Sequence, residues 1–299
     1  METTVIKGVL LSFLAYAAYA FSDASIKLLE GTLPPLEVVF IGALLGIVAI
    51  PLVRRPGENW GDLFRARNWT LWLLRALFAV VGSLSSVVAF TALPMAEAFA
   101  LIFLLPAFVT ILSVVFLREQ VGWRRWSAVV AGFVGVLIVL RPGFRELSVG
   151  HLGAIIGGFS GAMTIILLRA MGPTEKRISL YGAGLIGPIL ASGVLMMPHA
   201  QWPTPHQWIF LLGYGLLAAA GNVLLMLASA RAPASLVAPP QYSQMVWAIG
   251  FGYLVFGDHL DALMFLGTGV IMLAGLFTFV RERQRGTPRA ERTPPIHPQ

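Results

Sequence analysis

Cysteine is absent from all 299 positions, which removes disulfide frameworks, thiolate nucleophiles and sulfur-ligated zinc or iron–sulfur sites. Charge is scarce too: 12% of the residues are Asp, Glu, Lys or Arg, against roughly 25% in soluble domains. Only three lysines occur, at 7, 27 and 176. None follows a glycine, so the chain holds no Gly-x-x-x-x-Gly-Lys phosphate loop and no ATP motor of that kind. The five histidines (151, 199, 206, 259 and 297) read as loop, turn or tail residues, and none forms a His-Glu-x-x-His helix. With cysteine also missing, an intramembrane metal site is not expected. A serine enzyme would need a base beside a membrane serine. The stretch around Ser83, Ser85 and Ser86 offers none, so neither an enzyme nor a cofactor is expected.

What the sequence has instead is apolar length. Hydrophobic residues make up 57% and the mean hydropathy is +0.80. The apolar runs fall at roughly 5–28, 36–53, 69–92, 94–117, 124–140, 149–170, 177–197, 207–230, 233–256 and 260–280, each long enough for a ~30 Å hydrocarbon layer. The reading is an all-α polytopic membrane protein with ten transmembrane helices. Lys7, the following apolar run and Ala18-Tyr19-Ala20 imitate a cleavable signal. The run is long, however, and belongs to the internal repeat described below, so it is read as span one.

The net charge of +7 would suggest nucleic acid in a soluble protein, but here the 21 Lys and Arg sort by loop. With the N-terminus inside, 17 fall in inner segments: Lys7; Arg54, Arg55, Arg65 and Arg67; Arg118, Arg124 and Arg125; Arg169, Lys176 and Arg177; Arg231; and Arg281, Arg283, Arg285, Arg289 and Arg292. Lys27, Arg141 and Arg145 fall outside, and Arg75 lies within span three. That asymmetry is the positive-inside signal for an N-in/C-in topology. The expected partners are a small-molecule substrate and the lipid bilayer, not nucleic acid.

The chain also repeats itself. Phe21-Ser22-Asp23-Ala24 matches Phe159-Ser160-Gly161-Ala162 at an offset of 138. At an offset of 139, Trp69, Leu73, Leu77, Ala79, Gly82, Ala89 and Pro94 meet Trp208, Leu212, Leu216, Ala218, Gly221, Ala228 and Pro233. Glu119 meets Asp258 in the same register. The period covers five spans, an odd number, so the second copy must be inverted. Inverted repeats are the architecture of secondary transporters, with substrate held near the midplane between the halves. The units are read as residues 1–145 and 146–283, followed by a polar, proline-rich cytoplasmic tail at 284–299.

Several motifs then carry a family resemblance. Arg118-Glu119 ends span four, and the Trp126-to-Gly135 stretch closes in Arg141-Pro142-Gly143. Ala234-Ser235-Leu236-Val237-Ala238-Pro239 runs on to Phe256-Gly257-Asp258. The chain resembles the drug/metabolite transporter superfamily, EamA type, over about residues 5 to 283. Within it the chain looks like a YddG-type bacterial exporter of aromatic and other neutral amino acids. That resemblance implies alternating access in a bacterial inner membrane, with spans one, three, four, six, eight and nine around the substrate. Similar relatives take up S-adenosylmethionine or riboflavin, which gives the alternative reading: import of a larger metabolite. The chain departs from the family pattern at Asp258, where Glu is usual, and at Phe40-Ile41-Gly42, where many relatives carry Arg. A channel, its pore shared among copies, is a further alternative.

Inside a bilayer, ionisable and amide groups are the functional candidates, because burying them is costly. Ser12, Tyr16, Tyr19, Asp23 and Lys27 share one helical face of span one. They line a pathway, or else pack, with Asp23 and Lys27 as a local i,i+4 pair. Ser83 lies mid-span with Asn222 opposite it in the repeat, and span nine carries Gln241, Tyr242, Gln244 and Trp247. Glu97, in a first helical turn, either complements the helix dipole or meets a substrate ammonium, and Glu37 is read the first way. Phe99, Phe103 and Trp247 would supply an aromatic wall. Arg75 either snorkels to the inner interface or meets a substrate carboxylate. Pro106, Pro188, Pro239 and Pro240 are expected to interrupt spans four, seven and nine. Gly42, Gly46, Gly153, Gly157 and Gly161 should permit close helix contact.

Overall fold

The computed structural model describes residues 2–29, 31–118, 122–141, 147–171, 174–229, 231–232, 237, 239–258 and 261–285. Glu119, Pro142, Gly143, Arg145, residues 233–236, Ala238, His259 and the tail from 286 onward, all used in the sequence reading, lie outside them. All regular structure among the described residues is helical. The helices are α1 (Glu2–Leu28), α2 (Pro35–Gly46), α3 (Ile50–Val53), α4 (Trp69–Ala92), α5 (Met95–Ile102), α6 (Leu105–Leu117), α7 (Trp123–Leu140), α8 (Val149–Met171), α9 (Arg177–Met196), α10 (Pro205–Ser229), α11 (Ser243–Leu254) and α12 (Ala262–Arg285).

Seven stretches among the described residues are long and apolar enough to cross a membrane: Thr4–Leu28, Pro35–Val53, Trp69–Ala92, Met95–Leu117, Val149–Leu168, Arg177–Met196 and Pro205–Ala228. Trp126–Leu140 and Ala262–Ala274 are shorter apolar helices. Leucines and valines such as Leu10, Val130, Leu190 and Leu273 point outward and are more than half exposed. Such a girdle is stable against hydrocarbon and not against water.

Breaks and starts have local causes. Asn68 caps α4 by accepting the Leu71 N–H at 3.1 Å. Pro106 cannot donate to the preceding turn, and the chain breaks at Phe103–Leu104 between α5 and α6. A 3-10 turn at Pro239–Tyr242 leads into α11. Pro188, expected to interrupt span seven, instead sits inside an unbroken α9.

The helices pack in recurring pairs: α1 along α10, α4 along α8 and α9, α2 along α9 and α10, and α7 along α12. Small residues permit the closest approaches. A methyl on Gly153 of α8 would lie 2.8 Å from the Ser85 carbonyl oxygen of α4, and one on Gly187 of α9 2.7 Å from that of Ala76.

The two ends of the bundle differ. At one end the 54–68 segment meets the turn before α9. Glu175 accepts the N–H groups of Arg67 (2.7 Å) and Asn68 (2.9 Å), Glu58 accepts that of Arg177 (2.9 Å), and Lys176 donates to Asp62 at 2.7 Å. This end, rich in arginine, is called the basic end below. At the opposite end a continuous apolar core joins Leu29, Leu33, Val38, Phe90, Met95 and Phe99.

The Lys176 ammonium and the Asn59 N–H hold the Asp62 carboxyl below the usual carboxylate range. A depressed folded-state pKa adds stability above about pH 3.9, the unfolded value, and loses it as pH falls through the folded value. Lys176→Met should therefore melt below the unaltered protein at neutral pH. The gap in melting temperature in detergent should close only below about pH 4.

Candidate functional site

A cavity of about 460 Å³ lies between α1, α4, α8, α9 and α10. Its polar lining comes from Tyr19, Ser22 and Asp23 of α1, Arg75, Ser83 and Ser86 of α4, Ser160 and Thr164 of α8, Tyr181 of α9, and Tyr214 and Asn222 of α10. A second space of about 540 Å³ continues from it toward Arg55 and Arg177 at the basic end. Arg75, Tyr181 and Asn222 line both and form the neck between them.

Helix partners, rather than neighbours in sequence, aim these side chains. The Tyr19 hydroxyl donates to Asn222 Oδ1 at 3.0 Å, and Asn222 Nδ2 donates to the Ala218 carbonyl at 3.0 Å. Gly221 makes room, because a methyl there would come 2.7 Å from the Tyr19 ring. The Tyr214 ring lies over Gly42, where a Cβ would fall inside it, and Ser22 Oγ donates to the Tyr214 carbonyl at 2.8 Å. Arg75, one alternative for which was a snorkelling side chain, is buried: its Nε donates to the Leu180 carbonyl at 2.7 Å and its guanidinium lies against Gly184. The Tyr181 hydroxyl donates to the Gly46 carbonyl at 3.0 Å. Ser160 Oγ is buried at the cavity wall and finds no partner among the described residues.

The end opposite the basic one is closed by polar contacts above its apolar core. Lys27 does not pair with Asp23 one turn before it. Its Nζ donates to the Leu93 carbonyl at 2.7 Å, lies 3.9 Å from Asp258 and sits 5.0 Å above the Phe256 ring. Asp258 also accepts the Met95 N–H that opens α5, at 3.0 Å. Glu37, 1% exposed, accepts the Gln201 N–H. His151 corrects the sequence reading. It is the third residue of α8 and buried, not a loop residue. The Ser148 N–H donates to its Nδ1 at 2.9 Å, leaving Nε2 to donate to Glu97 at 3.1 Å. His206 is likewise helical, in the first turn of α10. A histidine opening an apolar helix reads from sequence as the loop before it.

The sequence candidates therefore separate. Tyr19, Asp23, Ser83 and Asn222 come together at the cavity. Tyr16 packs behind Tyr19, with ring centres 6.1 Å apart. Glu97 joins the closing contacts with His151. Phe99 and Phe103 lie in the apolar core, Phe103 being 6.0 Å from the Tyr242 ring. Gln241 and Tyr242 form the turn before α11, and Gln244 is buried within α11. Trp247, 39% exposed, stacks on Phe251 and packs against Phe21. The described cavity lining includes none of these last eight. Sequence reasoning missed Tyr181, Tyr214 and Ser160. Ser160 was within reach, because the repeat sets it beside Ser22 at the start of the matching tetrapeptides.

Asp258→Ala removes both the cap on α5 and the carboxylate near Lys27. Because the chain has no cysteine, a single Ala98→Cys behind these contacts is a clean reporter. Asp258→Ala should raise its labelling by an impermeant maleimide several-fold, and unchanged labelling would remove Asp258 from the closure.

Residues 6–141 and 148–280 each match the model of the EamA-like transporter family. An S-adenosylmethionine uptake transporter of Rickettsia felis is 27% identical, over 94% of this chain and 95% of that protein. A riboflavin transporter of Vibrio cholerae is 28% identical, over 91% and 92%. The pseudopaline exporter CntI of Pseudomonas aeruginosa is 25% identical, over 89% and 94%. One solved crystal structure superposes with a TM-score of 0.58 at 16% identity, covering 96% of this chain and all of its own, a likeness of fold.

Proposed function

The chain belongs to the EamA-like transporter family, and on that premise we propose that it is a secondary transporter moving a small organic metabolite by alternating access. The observation that carries this is the central cavity, joined to the basic end and shut from the other by packed core and polar contacts. Its size suits a metabolite, since small-molecule sites run to about 300–1,000 Å³.

The ten-span, N-in/C-in arrangement with inverted halves at 1–145 and 146–283 is part of the proposal. Two separate family matches support it, as does the packing. Exchanging the halves turns the α1–α10 pair into α8–α4 and the α2–α10 pair into α9–α4. With the basic end inside, the cavity faces the cytoplasm. The bacterial relatives support an inner-membrane location.

On substrate, the two readings drawn from sequence change order. The relatives above are named for S-adenosylmethionine, riboflavin and pseudopaline, and none of these three is named an amino-acid exporter. Transport of such a larger metabolite comes first and YddG-type export of aromatic or neutral amino acids second. The test is counterflow in proteoliposomes with radiolabelled S-adenosylmethionine, riboflavin and phenylalanine. Saturable uptake driven by unlabelled internal compound is expected for at least one. Flux that rises linearly without counterflow would indicate a channel, and absence of flux for all three would sink the transporter reading for these classes.

A further inference from the structure

Among the acids whose side chains are described, all but one are anchored. Glu37, Glu58 and Glu175 accept backbone N–H groups, Asp62 binds Lys176, Glu97 binds His151, Asp258 accepts the Met95 N–H near Lys27, and Asp261 binds Arg141. The exception is Asp23. It is partly buried, faces the cavity, and among the described residues has no hydrogen bond or ion pair. A carboxylate taken from water into a low dielectric is costly unless something positive stands beside it. The local candidate, Lys27 at i+4, is turned away to the Leu93 carbonyl and Asp258. The one described cation that lines the cavity, Arg75, lies too far toward the basic end. Asp23 is five residues from the end of α1 and Arg75 seventeen from the parallel end of α4, a difference of about 15–18 Å at ~1.5 Å per residue.

Two phenols line the cavity with that carboxylate, Tyr19 one turn back on α1 and Tyr214 on α10. Each is held over a glycine, Gly221 and Gly42. An acid beside aromatic rings in one cavity suits ammonium and sulfonium groups, through charge and through the ring quadrupoles. A hard metal ion would ask for six or more oxygens, and no group of three metal-ligating residues exists among the described residues.

Resting on the transporter reading above, we infer that the deep end of the cavity, Asp23 with Tyr19 and Tyr214, is a subsite for an organic cation, so that the substrate carries an ammonium or sulfonium group. A neutral isoalloxazine would leave this carboxylate uncompensated.

The test uses the full chain, purified and reconstituted, with four probes: S-adenosylmethionine, carrying ammonium and sulfonium; S-adenosylhomocysteine, carrying only the ammonium; and 5′-methylthioadenosine and riboflavin, both neutral. Equilibrium binding by scintillation proximity is read for the unaltered protein, Asp23→Asn and Asp23→Glu, with melting temperatures confirming folded protein. Asp23→Asn should weaken S-adenosylmethionine by about 10- to 100-fold and change the neutral probes less than about twofold, with Asp23→Glu retaining most of the affinity. A parallel loss for S-adenosylhomocysteine identifies the ammonium as the recognised group; its absence identifies the sulfonium. Unchanged S-adenosylmethionine affinity in Asp23→Asn, or an equal loss for all four probes, overturns the cation subsite. Saturable counterflow of riboflavin with no binding or counterflow of either cationic probe overturns it while leaving the transporter reading intact. If Asp23→Asn does not fold, Tyr214→Phe against Tyr214→Leu carries the same comparison: only the leucine variant should lose the cationic probes selectively, and equal behaviour of the two overturns the subsite. Failure of every probe and of the amino acid to bind or counterflow overturns both.

Discussion

Replacing Gly135 by alanine is expected to destabilise the bundle by about 1–3 kcal/mol, the cost of forcing one methyl into a filled contact. The site is where α7 crosses α12, and the approach is mutual. A Cβ on Gly135 would meet Ile271 Cγ1 at 2.7 Å and the Gly267 carbonyl oxygen at 2.9 Å, while one on Gly267 would meet the Gly135 carbonyl oxygen at 2.7 Å. Backbone cannot swing aside as a side-chain tip can, so the helices themselves must separate. In lipid, where apolar surface alone does not drive helices together, losing that contact removes much of what joins them. Gly132 is the control. It lies one turn earlier on α7 with no atom within 4 Å of an added methyl. Alanine there should be neutral or gain up to about 1 kcal/mol of helix propensity. Melting in detergent compares the two, and equal effects would discard the close-contact account.

Arg75→Met should lower substrate counterflow by about ten- to hundredfold, the worth of a charged hydrogen bond of roughly 1.5–3 kcal/mol. Arg75 stands at the neck that both spaces share, and among the described residues only its Nε is engaged, on the Leu180 carbonyl. The terminal nitrogens are thus free to meet an anionic or carbonyl group passing the neck. Arg75→Lys keeps the charge but loses the fixed fork, and should fall between the two. A purely structural arginine would instead give variants that melt early yet transport at an unaltered rate per folded molecule.

The long helices were legible because hydropathy and charge are local. The expected run at 69–92 coincides with α4, and those at 149–170 and 177–197 end within a residue of α8 and α9. Cavity residues were legible only where polarity recurred on a helical face, as for Tyr19 and Asp23, or across the repeat, as for Ser83 and Asn222. Tyr181 and Tyr214 gave no such signal. An isolated tyrosine among leucines and glycines reads as packing, and what turns it inward is a glycine on another helix. The polar stretch Gln241 to Gln244 shows the converse: its amides announce polar contacts at bilayer depth, yet no residue of α11 is in the described cavity lining. Asp23 and Lys27 fall at pairing distance in sequence, and the Leu93 carbonyl just past α4 draws the lysine off.

Under the cation subsite inferred above, the isolation of Asp23 among the described residues has an electrical consequence. A carrier whose binding carboxylate has no counter-ion of its own changes net charge at that position when a cation arrives or leaves. Moving one elementary charge through the full membrane potential is worth about 2.3 kcal/mol per 100 mV. Occupied and empty molecules would then feel the potential differently as they reorient, so voltage would act on one limb of the cycle more than the other. Exchange of one substrate for another would outpace net flux, because the empty molecule would return with its carboxylate uncovered.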